Sequence, residues 1–101
     1  MVDQSKVYLT VRLKIRPETN SDFLAQIVQY LRVVRLEDGC ETMDLFQDTT
    51  DHFTYYLWEI WRDPSSWKLH NAGENLKNWS LGANRFVSEM NISVLRAIEF
   101  V

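Results

Sequence analysis

Two ionisable side chains sit where this chain could do chemistry: Glu59, inside an aromatic run, and His70, shortly after that run ends. An imidazole changes charge near neutral pH, so His70 suits the role of a general base that removes a weakly acidic proton. The plainer role for His70 is structural, as a helix-end histidine that caps a carbonyl or contacts a sheet. Glu59 has the same two sides. It orients His70 or, with a raised pKa, acts as an acid; otherwise it is a buried carboxylate bonded to helix-end amides or an arginine. His70 and Glu74 are four positions apart and with Glu59 would make a hard-metal triad. Gly73 falls between them and interrupts the helix that would align them, so no metal site is expected.

The aromatic side chains suggest a ligand. The four tryptophans and Tyr56 could line a flat cavity that stacks a quinone or polycyclic ring. Trp61 and Trp79 read as core, Trp67 as a cavity wall and Trp58 as part of an interface between copies. Asn71, Asn75 and Asn84 could hydrogen-bond an oxygenated substrate, and Arg85 could meet an anionic group; exposed helix surface explains these residues equally well. The substrate-contacting set is therefore Trp67, Asn71, Asn75, Tyr56 and Trp58, around His70 as the catalytic base. His52 falls in a hairpin turn and Cys40 reads as a small buried filler.

These side chains need elements to place them. Residues 6–16 alternate, with Val7, Leu9, Val11, Leu13 and Ile15 on one side, which is a strand pattern closed by Pro17. Over residues 20–37 the period becomes helical, through Phe23, Leu24, Ile27, Val28, Leu31 and Val34. Thr19 and Asp22 have capping-box spacing, and Gly39 falls where a left-handed helix terminus is expected. Residues 40–47 and 53–61 read as a hairpin around a polar turn. Asp63-Pro64 is a helix start, a capping side chain before proline at the first helical position. That helix carries Trp67 and His70. After Gly73 a second piece places Leu76, Trp79, Ala83 and Phe86 at 3-4-3 spacing, and residues 91–100 read as a last strand. The order β-α-β-β-α-β is an α+β, ferredoxin-like arrangement: a four-stranded antiparallel sheet with helices on one face.

In the third strand neither face is polar. Phe53, Tyr55, Leu57, Glu59 and Trp61 lie on one side, and Thr54, Tyr56, Trp58, Ile60 and Arg62 on the other. One face meets the helices, and leaving the other wet forgoes roughly 1.5–3 kcal/mol per large apolar side chain. The expectation is a homodimer joined sheet to sheet. With 101 residues the chain reads as one domain, 1–101, of a size at which deep private pockets are hard to build. Its 11 basic residues are scattered among 14 acidic ones, which argues against nucleic acid. A lone cysteine makes no internal disulfide, and no paired Cys or His spacing suggests zinc. The opening residues lack an apolar leader core and no apolar run spans a bilayer, so a soluble cytoplasmic protein is expected.

Glu59-x-Trp61, the Asp63-Pro64 turn, Trp67 and His70, together with the upstream Arg35-x-Glu37-x-Gly39-Cys40, resemble the antibiotic biosynthesis monooxygenase family of dimeric ferredoxin-like proteins. The resemblance runs from about Lys6 to Phe100. It implies a dimeric α/β barrel, with Glu59 and Trp61 as a structural motif. It also implies oxidation of a small aromatic molecule, a quinol or polyketide phenol, by O2 with no bound cofactor. Where many members carry a later His-Phe pair, this chain has Asn75-Leu76. The helix after Gly73 lacks the histidine that haem-degrading members use, which counts against haem. Two alternatives stay open: a non-catalytic dimeric domain that binds a small ligand or regulates a partner, and an isomerase or lyase that uses the same base without oxygen.

Overall fold

The computed structural model describes residues 4–100; Val101 and the first three of the residues read above for a leader lie outside that range. Strand β1, Val7–Ile15, buries every second side chain, as its alternation predicts. A short 3-10 turn at Pro17–Thr19 leads into helix α1, Asn20–Val34. Phe23, Ile27, Leu31 and Val34 form its buried stripe. The Thr19–Asp22 capping box does not form. Thr19 Oγ1 instead donates to the carbonyl of Arg16 at 2.8 Å, because the 3-10 turn has already brought that acceptor close. The helix also stops three residues before the expected Glu37. Leu36 and Glu37 N–H groups bond carbonyls three residues back, which tightens the chain into a turn.

Gly39 completes that turn at φ +85°. Strand β2, Cys40–Gln47, and strand β3, Thr54–Trp61, follow as the hairpin. Asp48 Oδ2 organises its loop by accepting from the N–H groups of Thr50 and Asp51 at 3.0 and 2.7 Å. Asp63 caps helix α2, Pro64–Ala72, through Oδ1 to Ser66 N at 2.8 Å, as its sequence position predicts. Gly73 ends α2 and begins helix α3, Glu74–Ala83.

Strand β4 spans Val87–Leu95, not residues 91–100. Its length follows its neighbour: pairing with β1 runs from Ile15↔Val87 to Tyr8↔Leu95, and only Val7 of β1 lies beyond that last pair. Phe86 fits the helical spacing but lies beyond α3. It is fully buried, and its carbonyl accepts from Arg16 N at 2.7 Å.

The sheet order is β2-β3-β1-β4 with every pair antiparallel, the ferredoxin-like α+β fold. Val7, Leu9, Val11, Leu13, Tyr55, Leu57 and Trp61 meet the α1 stripe in one core. The other face carries Tyr8, Tyr56, Trp58 and Ile60, all half-buried, with the Tyr8 and Trp58 rings 6.4 Å apart. On the helix side of edge strand β4, Met90, Ile92 and Val94 stay 54–58% exposed. No helix of the described residues is long and apolar enough to cross a membrane.

At Gly39 both backbone and space demand glycine. A Cβ there would collide with the Ser66 side chain at the first turn of α2. A left-handed conformation alone costs an L-residue roughly 1–2 kcal/mol. Gly39→Ala is therefore expected to lower the melting temperature by at least about 4–8 °C. An unchanged thermal melt would contradict this account of the turn.

Candidate active site

Between the sheet and the helices lies a cavity of about 550 Å³. Its floor is Leu9, Val11, Leu13 and Leu57 from the sheet, and its walls include Trp67 of α2 and Trp79 of α3. Met90 and Ile92 line it from β4, where they are also exposed, so the cavity opens past that edge. The polar groups are few: His70, Glu59, Tyr30, Asn71, Ser80 and Asn84.

His70 is 6% exposed, in the last turn of α2. Its ring lies on the fully buried Trp61, with centroids 4.6 Å apart and 27° between planes. Nδ1 is 2.9 Å from Glu37 Oε1. The other oxygen of Glu37 accepts from Asn75 Nδ2 at 3.0 Å. Glu59, 5% exposed, does not share this bond. Its Oε1 accepts from Trp61 Nε1 at 3.0 Å. Burial pushes the Glu59 carboxyl above the ordinary range, against the Trp61 N–H and His70, which favour its charged form.

Tyr30 faces the same region from α1. Its ring stacks on Trp79 at 5.1 Å and 14°. Burial, then the charges of Glu59 and Glu37, push its phenol upward, so it stays neutral. Cys40 is half-buried, and burial with the same two carboxylates raises its thiol to about 11, which leaves it an unreactive filler.

The structure brings Glu59, Trp67, His70 and Asn71 to one cavity, with Asn84 further along it. Trp79, read as core, is half-exposed enough to form a wall. Tyr56 and Trp58 are not brought there. They alternate with Leu57 and Glu59 along β3, so they occupy the opposite sheet face. Asn75 is not a lining residue either, because its amide is held by Glu37.

Two neighbours of His70 were missed as site residues. Glu37 lies in the Arg-x-Glu-x-Gly-Cys segment, which served only as a family mark. Tyr30 continues the buried stripe at helical spacing between Ile27 and Val34, and a polar-tipped aromatic on an apolar stripe was the available signal. Together the groups offer one imidazole, the carboxyl of Glu37 bonded to it, the carboxyl of Glu59 that burial makes hold its proton to higher pH, and one phenol, beside apolar walls. That inventory can accept a proton from a ligand and can hydrogen-bond an oxygen on it.

The family profile described as antibiotic biosynthesis monooxygenase matches residues 6–80. The chain belongs to the antibiotic biosynthesis monooxygenase family. The matched stretch contains Glu37, Glu59, His70 and Asn75. A curated relative, "Putative monooxygenase YcnE" of Bacillus subtilis, is 29% identical over 65 residues, 64% of this chain and 68% of its own length. A crystal structure from Pseudomonas aeruginosa superposes with a TM-score of 0.86 at 23% identity, covering 94% of this chain and 96% of the other. A structure described as a putative antibiotic biosynthesis monooxygenase, from Bacteroides thetaiotaomicron, gives 0.80 at 20% identity over 96% and 91%. At such identities the two structures establish a shared fold.

The raised Glu59 carboxyl makes a stability prediction. A native carboxyl that holds its proton to higher pH than the unfolded one loses folding free energy as pH rises from about 4.5 through the raised value. Gln at this position keeps the oxygen that Trp61 uses and cannot ionise. Glu59→Gln is expected to gain stability relative to the parent as pH rises from 4.5 to 8, read from urea midpoints. A difference that stays flat with pH would refute the assignment.

Proposed function

We propose that this protein is a monooxygenase that oxidises a small aromatic substrate, a quinol or polyketide-like phenol, with O2 and without a bound cofactor. The observation that supports this reading is the placement of His70 at an apolar cavity of about 550 Å³, large enough for such a ring system. In this reading His70 takes a proton from the substrate. The anion passes an electron to O2, and the two radicals join through a new carbon–oxygen bond. The peroxide takes its proton back from His70, and at a ring carbon that bore one hydrogen the resulting hydroperoxide loses water and leaves a carbonyl. One oxygen atom stays in the product and the other departs as water. The substrate supplies the electrons, and Trp67 and Trp79 hold its ring and exclude solvent.

The same reading takes the active unit to be a homodimer. Tyr8, Tyr56, Trp58 and Ile60 give the uncovered sheet face an apolar character that a second copy would bury. Sedimentation should show a dimer at micromolar concentration; a monomer would sink this part.

A second reading, an oxygen-independent isomerase or lyase, is favoured by Glu59. A carboxyl whose hold on a proton is strengthened by burial, beside a base, can return to one atom the proton removed from another. Oxygen uptake separates the two. With a panel of quinols and hydroxylated polycycles, uptake is expected, and His70→Ala should reduce it by roughly 10²–10⁴-fold while circular dichroism stays unchanged. Tight binding of a panel member with neither uptake nor turnover would point to a non-catalytic binding domain.

A further inference from the structure

We infer that Glu37 is the positioning residue for His70: it holds the proton on Nδ1 and leaves Nε2 as the bare nitrogen presented to the cavity. The inference deepens the reading of His70 as the base and rests on it. Glu59 was the natural candidate from sequence, since it precedes His70 by one strand end and one helix. Its bonded oxygen, however, serves Trp61. Glu37 comes from the turn after α1, 33 positions before His70, and reaches Nδ1 at 2.9 Å.

A carboxylate only accepts hydrogen bonds, so the proton between these two groups belongs to Nδ1. In a neutral imidazole the second nitrogen then carries the lone pair. His70 lines the cavity and Glu37 does not, which leaves the Nε2 edge of the ring for the cavity. Two further contacts hold the geometry. Asn75 Nδ2 donates to the second oxygen of Glu37 at 3.0 Å, so the carboxylate cannot rotate away without losing a second bond. Trp61 supports one face of the imidazole at 4.6 Å. Once Nε2 has taken a substrate proton, the imidazolium lies against Glu37, and the developing positive charge is balanced where it forms. Asn75 thus supports the base through Glu37.

The tautomer can be read without any substrate. In ¹⁵N-labelled full-length protein at pH 8, long-range ¹H–¹⁵N spectra should show His70 protonated at Nδ1 and bare at Nε2. Glu37→Leu removes both acceptors and should shift the proton to Nε2. Glu37→Gln keeps one oxygen for Nδ1, and a flipped Asn75 can accept from the new amide, so it should retain the parent tautomer. A parent spectrum with the proton on Nε2, or with both nitrogens protonated at pH 8, overturns the inference without recourse to any variant. A Leu variant that keeps the Nδ1–H form overturns it as well. With an oxidisable substrate, Glu37→Leu should lower kcat by roughly 10²–10⁴-fold with little change in KM, and Glu37→Gln should recover part of the loss. An Nδ1–H tautomer without oxygen uptake would sink the monooxygenase reading alone. Oxygen uptake with an Nε2–H tautomer would sink the positioning role alone.

Discussion

Side chains on a β-strand alternate between two faces, and β3 lies inside the sheet with β2 on one side and β1 on the other. Every residue from Thr54 to Trp61 is therefore committed to the helix side or to the opposite face, with no loop to relax the choice. Leu57, Glu59 and Trp61 go to the helix side, and Tyr56, Trp58 and Ile60 go away from it. The cavity floor, the surface beneath His70 and the aromatic outer face all follow from this one register. A slip of one residue would exchange them, placing Trp58 beneath the helices and Glu59 on the outer face.

That register puts a carboxyl in a nearly dry place, and the surrounding groups show how the fold tolerates it. An unpaired buried charge is far more costly than a buried neutral group. Among the described residues Glu59 has one N–H donor, from Trp61, and burial pushes its carboxyl upward against that bond. Glu37 sits nearer the surface, with its side chain 20% exposed, and has donors for both oxygens. The two carboxylates flank His70 with different partners, and only Glu37 has its bonded oxygens committed to His70 and Asn75. Tyr30 adds a phenol whose ionisation both carboxylates oppose. The cluster carries its polarity in one imidazole held from one side, at the edge of a largely apolar space.

Much of this fold was legible because its signals are local. Alternation gave β1, the aromatic run after a polar turn gave β3, the apolar stripe gave α1, and Asp63-Pro64 gave the start of α2. Apart from the local turns at the two ends of α1, the errors occurred where a distant partner decides. The end of β4 depends on where β1 begins, and Phe86 obeys a helical spacing while its carbonyl is bound by Arg16. The site was half legible for the same reason. Trp67, His70 and Asn71 share a helix, so their proximity follows from short spacing. Tyr56 and Trp58 were grouped with them by aromatic character, although alternation had already separated them from Glu59. Glu37 could not be paired with His70 from spacing alone, because the turn after α1, two strands and a helix lie between them.

The break at Gly73 shows what such a long-range pairing requires. His70 and Asn75 are five positions apart, which on one continuous helix would separate them by about 140° around the axis and about 7.5 Å along it. Side chains so placed point to different neighbours, and one carboxylate could not serve both. Gly73 instead takes an extended backbone, φ −84° and ψ 164°, and its N–H closes α2 on the carbonyl of His70 at 3.1 Å. A new helix then starts at Glu74 in another direction, and Asn75 in its first turn reaches the carboxylate that His70 already holds. A Cβ at Gly73 would stand 3.2 Å from the Leu69 carbonyl, so the tight junction itself favours a residue without one. The interruption that spoils a His70–Glu74 metal pair is thus the feature that lets two helices grip one carboxylate, and through it one face of the cavity.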